Sequence, residues 1–144
     1  MVDVYRDACA RHATTPAWIL RRYAWIAPTR AEVEHDILPV YVDGLMVHWR
    51  ESVEDEEEKA LFARIDAGET VTPAEIADDR LLWGSPDDVV AQINRYVTAT
   101  GADHVHAAFG AGLPGASDRA SMGDFETQAA MIRLFGREVI GAFA

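Results

Sequence analysis

The stretch Leu81–Gly110, LLWGSPDDVVAQINRYVTATGADHVHAAFG, constrains the fold more than any other part of the sequence. Ser85 is placed as a helix N-cap, where a side-chain oxygen accepts from an early backbone amide. Pro86 fits the first helical position, and Asp87 and Asp88 set negative charge against the positive end of the helix dipole. Val89, Val90, Ile93, Tyr96 and Val97 recur at helical spacing and give the helix one apolar face. Gly101 stands where a left-handed C-cap is wanted. His104–Phe109 follows at once as a short strand, and Gly110-Ala111-Gly112-Leu113-Pro114-Gly115 supplies a flexible loop. A tight helix-to-strand junction with a glycine-rich loop beyond it is the layout of an α/β repeat, whose chemistry lies at the carboxyl ends of the strands.

Upstream, Val4–Ala13 has a short helical pattern that Thr14-Thr15-Pro16 ends. Trp18–Ala27 is rich in aromatic and branched residues, is bounded by Pro16 and Pro28, and reads as a strand covered on both faces. Thr29 with Glu32 forms a capping box, so the strand gives way to a helix within two residues. That helix meets Pro39, which is expected to kink or end it. Val40–Trp49 reads as a further helical piece. The acidic run Glu54–Glu58 lacks the alternating oxygen ligands and turn glycine of a calcium loop and reads as a solvated helix start. Leu61, Phe62 and Ile65 give that helix an apolar face, and Gly68 ends it. Thr72-Pro73-Ala74-Glu75 repeats the capping box and predicts a short helix through Ala77. Met131, Ile132, Leu134, Phe135, Val139, Ile140 and Phe143 predict an apolar C-terminal helix packed on a sheet.

The chain is thus divided into a helix-strand-helix start (1–39), an acidic helical insertion (40–80) and a helix-strand-loop-helix end (81–144), all within one partial domain. Only two strong strands are legible, and two parallel strands leave both sheet edges open. At 144 residues, with 49% hydrophobic and 26% charged residues, the composition is that of an ordinary globular domain. A formal net charge of -11 argues against nucleic acid as a partner. No apolar run reaches the roughly 18 residues of a membrane span. The opening MVDVYRDACA lacks the features of a signal peptide, and a single cysteine, Cys9, suits a reducing compartment, so a cytoplasmic location is expected.

Three motifs in order carry a resemblance. Trp83-Gly84-Ser85-Pro86-Asp87-Asp88-Val89-Val90, Gly101-Ala102-Asp103-His104-Val105 and Leu134-Phe135-Gly136-Arg137-Glu138-Val139-Ile140 resemble the carboxy-terminal part of the luciferase-like flavin-dependent monooxygenase family. Leu20–Ala27 with Thr29-Arg30-Ala31-Glu32 resembles the preceding strand and helix start of that family. The acidic middle matches loosely. The resemblance implies the C-terminal portion of a TIM (β/α)8 barrel: its last two parallel strands with their helices, incomplete as a barrel, since a whole one takes about 250 residues. It also implies oxidoreductase chemistry with FMN and dioxygen on a small organic substrate. A deazaflavin coenzyme that transfers hydride is the close variant. Most catalytic groups of the family come from strands without a counterpart here, so this reading assigns no catalytic residue and expects the isolated chain to be inactive.

The barrel rule places the candidate cofactor contacts at Ala27-Pro28, His106, Ala108, Phe109 and the following loop, and the residues selected for cofactor binding are His106, Phe109, Gly110 and Gly112. His106 equally suits a barrel-wall role. A metal pair of His104 and His106 is disfavoured because no third ligand is placed by the sequence, and no metal is expected. Gly110, Gly112 and Gly115 lack the spacing of a dinucleotide loop. Trp83 is read as a packing anchor beside the N-cap, and Arg21 and Arg22 as partners for surplus carboxylates. The competing reading is a small acidic α/β module without catalysis, one that associates with itself or with a second chain completing the sheet at its open edge.

Overall fold

A computed structural model of the chain describes residues 2–39, 56–109 and 125–143. Helix α1 (Val2–Arg11) leads to strand β1 (Ile19–Ile26), and α2 (Arg30–Glu32) continues directly into a π-type turn, Val33–Ile37. Helices α3 (Glu56–Asp66) and α4 (Pro73–Ala77) precede strand β2 (Leu81–Gly84), helix α5 (Pro86–Thr100) and strand β3 (His104–Ala108). Helix α6 (Phe125–Leu134) then runs through a π-type turn, Phe135–Val139, into a 3-10 turn, Ile140–Phe143.

Among the described residues the sheet has three strands in the order β2-β1-β3, all parallel. Tyr23, Ala24, Trp25 and Ile26 pair with Leu81, Leu82, Trp83 and Gly84, while Ile19 to Tyr23 pair with His104 to Ala108. This corrects the expected strand count from two to three. The added strand is Leu81–Gly84, buried throughout, and Trp83, read as a packing anchor, is part of it. The order also differs from a plain run of barrel strands, in which each strand lies beside the next in sequence. Here β1 lies between the two strands that follow it.

The caps hold as the sequence requires. Thr29, Thr72 and Ser85 each accept from the backbone N–H three residues on, and Glu32, Glu75 and Asp88 reach back to the cap's own N–H. Gly101 closes α5 in the left-handed conformation at φ 64°. Pro39, expected to kink or end the helix, is itself helical and is the last described residue of this segment. The Leu38 N–H bonds to the Val33 carbonyl, five residues back, so the ladder has already widened before the proline ring has to be accommodated. Of the acidic run, Glu56, Glu57 and Glu58 form the first turn of α3; Glu54, Asp55 and the stretch Val40–Trp49 lie outside the described residues.

One hydrophobic core joins these elements. Ala24, Trp25 and Ile26 of β1 and Leu81, Leu82 and Trp83 of β2 share a single buried cluster with Val33 and Leu38, with Val89, Ile93 and Tyr96 of α5, and with Met131 and Val139. Burial on this scale, at about 25 cal/mol per Å² of apolar surface, is what fixes the short β2 in place. The C-terminal segment departs from expectation in one respect. Met131 and Val139 are buried and Leu134 and Phe135 pack against the core, but Ile132, Ile140 and Phe143 face away from it.

Helix α1 latches onto the other end of the sheet. The Tyr5 ring meets Trp18 edge-on at 5.9 Å, and the Arg6 guanidinium lies 4.7 Å over the same indole. Arg6 also donates to the Thr100 carbonyl at 2.8 Å, a free acceptor at the end of α5. Arg21 and Arg22 do not follow the expected pairing with carboxylates. Their guanidinium groups lie over the rings of Tyr23 (5.3 Å) and Tyr96 (5.1 Å), and among the described residues neither forms a salt bridge. Among these residues no helix is long and apolar enough to cross a membrane.

Candidate functional site at the carboxyl end of the sheet

In an open parallel sheet, ligands gather beyond the carboxyl ends of the strands, so the site is built from the residues that follow β1 and β2. The Ala27 N–H donates to the Gly84 carbonyl at 3.2 Å and carries the pairing one step past the end of β1. Both strands then turn into capped helices. Arg30 ties the two helix starts together: it is 3.2 Å from Asp88, 3.6 Å from Glu34, and 4.0 Å over the Trp83 ring. Burial raises the Asp88 carboxyl, but hydrogen bonds from the Ser85 hydroxyl and N–H and from Arg30 outweigh it, leaving Asp88 below the usual aspartate value. The cap amide and the amide three residues on are therefore satisfied from within the chain at both helix starts.

The cavity at this end lies beside them. It has a volume of about 510 Å³ and is bounded by Ile26 at the end of β1, the following Ala27 and Pro28, Ile37 from the π-type turn, and Met131 and Leu134 from α6, with Arg133 and Arg137 also among its lining residues. That is within the usual range of a small-molecule site, and it combines apolar walls with a few convergent polar groups. The wall suits a flat or aliphatic body. The two arginines, four residues apart on one helical face, suit an anionic end. Arg137 also reaches Glu138 at 2.7 Å.

The residues selected from the sequence are placed as follows. His106 is exposed in the body of β3, opposite Arg21 and on the same strand face as His104. Five register steps separate that level from Ile26, about 16 Å along the strand, so His106 does not border the cavity. Phe109 is half-buried and meets the Phe135 ring edge-on at 5.2 Å, which ties the end of β3 to the C-terminal segment. Gly110 and Gly112 lie outside the described residues. Ala27 and Pro28, named by the strand-end rule, do line the cavity. Arg133 and Arg137 went unselected. Their spacing of four on an otherwise apolar helix was the available signal, but nothing local to that helix indicated that it would lie over the end of β1.

A second cavity, of about 520 Å³, lies between α3, α4 and the turn before β2, bordered by Glu57, Glu58, Glu75, Asp78, Asp79, Arg64 and Arg80. Its charges are largely matched: Arg80 with Glu58 (3.2 Å), Arg64 with Glu69 (2.9 Å) and Glu75 (3.4 Å), and Arg95 with Asp78 (3.1 Å) and Asp79 (2.8 Å). It is a structural ion-pair network more than an open cation site. Among the described residues no group of three or more His, Cys, Asp or Glu side chains gathers as metal ligands.

No protein-family model matches the chain, and no curated protein matches it. Among solved structures it is similar to the monooxygenase RslO1 from Streptomyces bottropensis, with a TM-score of 0.55 and 19% sequence identity. The match covers 99% of this chain and 37% of that one, so the chain spans a little over a third of its solved neighbour's length. At this identity the likeness is one of fold: nearly the whole chain follows the path of part of a monooxygenase.

Proposed function

We propose that the chain is the carboxy-terminal segment of a luciferase-like, flavin-dependent oxidoreductase, with β1 and β3 as consecutive strands of a (β/α)8 barrel and β2 as an added strand on the outer side of β1. The observation that carries the reading is the cavity at the carboxyl end of β1, lined by apolar side chains and by Arg133 and Arg137, at the position that barrels and open α/β sheets use for ligands. The fold likeness to part of a monooxygenase and the order of the three sequence motifs support it.

The cavity's donor set fits FMN. Ile26, Ile37, Met131 and Leu134 would cover an apolar ring, and Arg133 and Arg137 would hold the phosphate. Reduced flavin, when bound, supplies two electrons to dioxygen; a deazaflavin in the same place supplies a hydride instead. This chain's own part is to bind and orient: the arginines fix the anionic end, and the apolar wall keeps water from the ring. The Arg30–Asp88–Trp83 cluster holds the two strand ends rigid beside it. Catalytic groups are left to the rest of the barrel, so the isolated chain is expected to bind without turnover.

The test is titration of the purified chain with FMN, riboflavin and a deazaflavin coenzyme, followed by flavin fluorescence. Saturable binding of a phosphorylated flavin supports the reading. A chain that ignores all three compounds contradicts it and leaves the acidic, non-catalytic module as the better account.

A further inference from the structure

The two edges of the sheet differ. On the β2 side the outward N–H and carbonyl of Trp83 are both taken by Gln92. The β3 side is open. The Asp103 N–H donates to the Trp18 carbonyl at 3.3 Å, so Asp103 and every second residue after it turn their backbone groups to β1. His104, His106 and Ala108 therefore turn theirs outward, and among the described residues no strand lies there to receive them. Such an edge is a template for one more strand.

The side chains define what that strand carries. The register sets His104 beside Ile19 and His106 beside Arg21 on one face of the sheet, and all four are exposed. Arg21 forms no salt bridge among the described residues; its guanidinium lies over the Tyr23 ring. In a chain of net charge -11, this face thus gathers one guanidinium and two imidazoles and no carboxylate. On the opposite face Val105 and Ala107 pack against the core. A strand that fits beside β3 therefore alternates acidic residues, set towards the histidines and the Arg21 behind them, with apolar ones that extend the Val105 and Ala107 side.

We infer that the β3 edge is a docking site for an acidic extended segment of another polypeptide, added to the sheet as a further strand. Backbone hydrogen bonds to His104, His106 and Ala108 supply affinity, and the histidine and arginine face selects the partner. A second copy of the chain fits poorly. A two-fold axis on β3 would set His106 against its own counterpart and bring together two chains of the same net charge. Nucleic acid is opposed by that net charge as well. The patch lies about 16 Å along the strands from the cavity end of β1, so it requires nothing of the flavin site.

Fluorescence anisotropy tests this on the full chain with three short labelled peptides: one alternating valine and glutamate, one alternating valine and lysine, and the first with its central residues replaced by prolines. The expected result is saturable binding of the glutamate peptide, at least about tenfold weaker binding of the other two, and no self-association of the chain in sedimentation velocity. An Arg21→Glu, His106→Glu double variant, whose thermal unfolding should stay close to that of the native chain, should weaken the glutamate peptide by about tenfold or more. His106→Pro should do the same by removing an outward N–H, and a proline is tolerated there because that N–H bonds nothing within the sheet. A chain that binds none of the peptides would overturn the inference. So would equal binding of the lysine or proline peptide, binding indifferent to the double variant, or self-association of the native chain that the double variant abolishes.

Discussion

The Gln92 side chain closes the outer edge of β2 by bonding both backbone groups of Trp83: its Oε1 accepts from the Trp83 N–H at 3.0 Å and its Nε2 donates to the Trp83 carbonyl at 2.7 Å. In a parallel ladder a residue presents its N–H and carbonyl to the same side. Gly84 turns its carbonyl to β1, where it accepts from Ala27, so Trp83 turns both of its groups outward. One carboxamide thus does for this edge what a further strand would do, and it leaves Trp83 unavailable to strand addition.

Gln92→Leu should therefore destabilise the chain by about 2 to 4 kcal/mol, because two buried backbone groups lose their partners at about 1–3 kcal/mol each. Urea unfolding measures it. Gln92→Glu keeps the acceptor but sets a carboxylate against the Trp83 carbonyl, which raises the folded pKa of the new side chain. Its stability deficit should be largest at neutral pH. It should shrink as the pH falls from the raised folded value towards the ordinary glutamate value of about 4.3, and be smallest below that, where the protonated acid can donate to that carbonyl.

Asp88 has the opposite sign. Its folded carboxyl titrates below the unfolded one, so its contribution is complete above the ordinary aspartate range and is lost as the pH falls through the lower folded value. Asp88→Asn should cost about 1 kcal/mol at neutral pH, typical of a lost cap, and nearly nothing in strong acid. Paired urea titrations across that pH range check both the size and the direction.

The glycines separate backbone need from accident. Gly84 has φ 115°, and a Cβ there would lie 2.8 Å from the Asp88 Oδ2. Gly84→Ala should cost more than about 2 kcal/mol, through strain at that φ and displacement of the cap. Gly141 meets nothing within 4 Å and has no such φ, so Gly141→Ala should stabilise the chain by about 0.5 kcal/mol. Thermal unfolding of the two variants should move in opposite directions.

What could be read from the sequence was local. Ser85, Pro86, Asp88 and Gly101 fix α5 through hydrogen bonds that span a few residues, and they stand in the structure as their order requires. β2 was missed because Leu81–Gly84 shows no alternation and is short enough to pass for a cap's lead-in. It is a strand by virtue of β1, more than fifty residues earlier, and Gln92, a turn and a half into the next helix. The cavity escaped for the same reason. Arg133 and Arg137 acquire a role only when the C-terminal helix folds over Ile26, Ala27 and Pro28, and that packing belongs to the tertiary structure. His106 was chosen for its chemistry and for lying near a strand end, but β1 runs further than β3, and the cavity follows β1.

The most direct test of the proposed flavin site compares FMN with riboflavin on the native chain and on an Arg133→Ala, Arg137→Ala double variant by isothermal titration calorimetry. The account predicts saturable one-to-one FMN binding, at least about tenfold weaker riboflavin binding, and loss of that difference in the double variant, since the phosphate would then have no guanidinium partner. Equal affinity of the native chain for FMN and riboflavin, or FMN binding unchanged in the double variant, would contradict it.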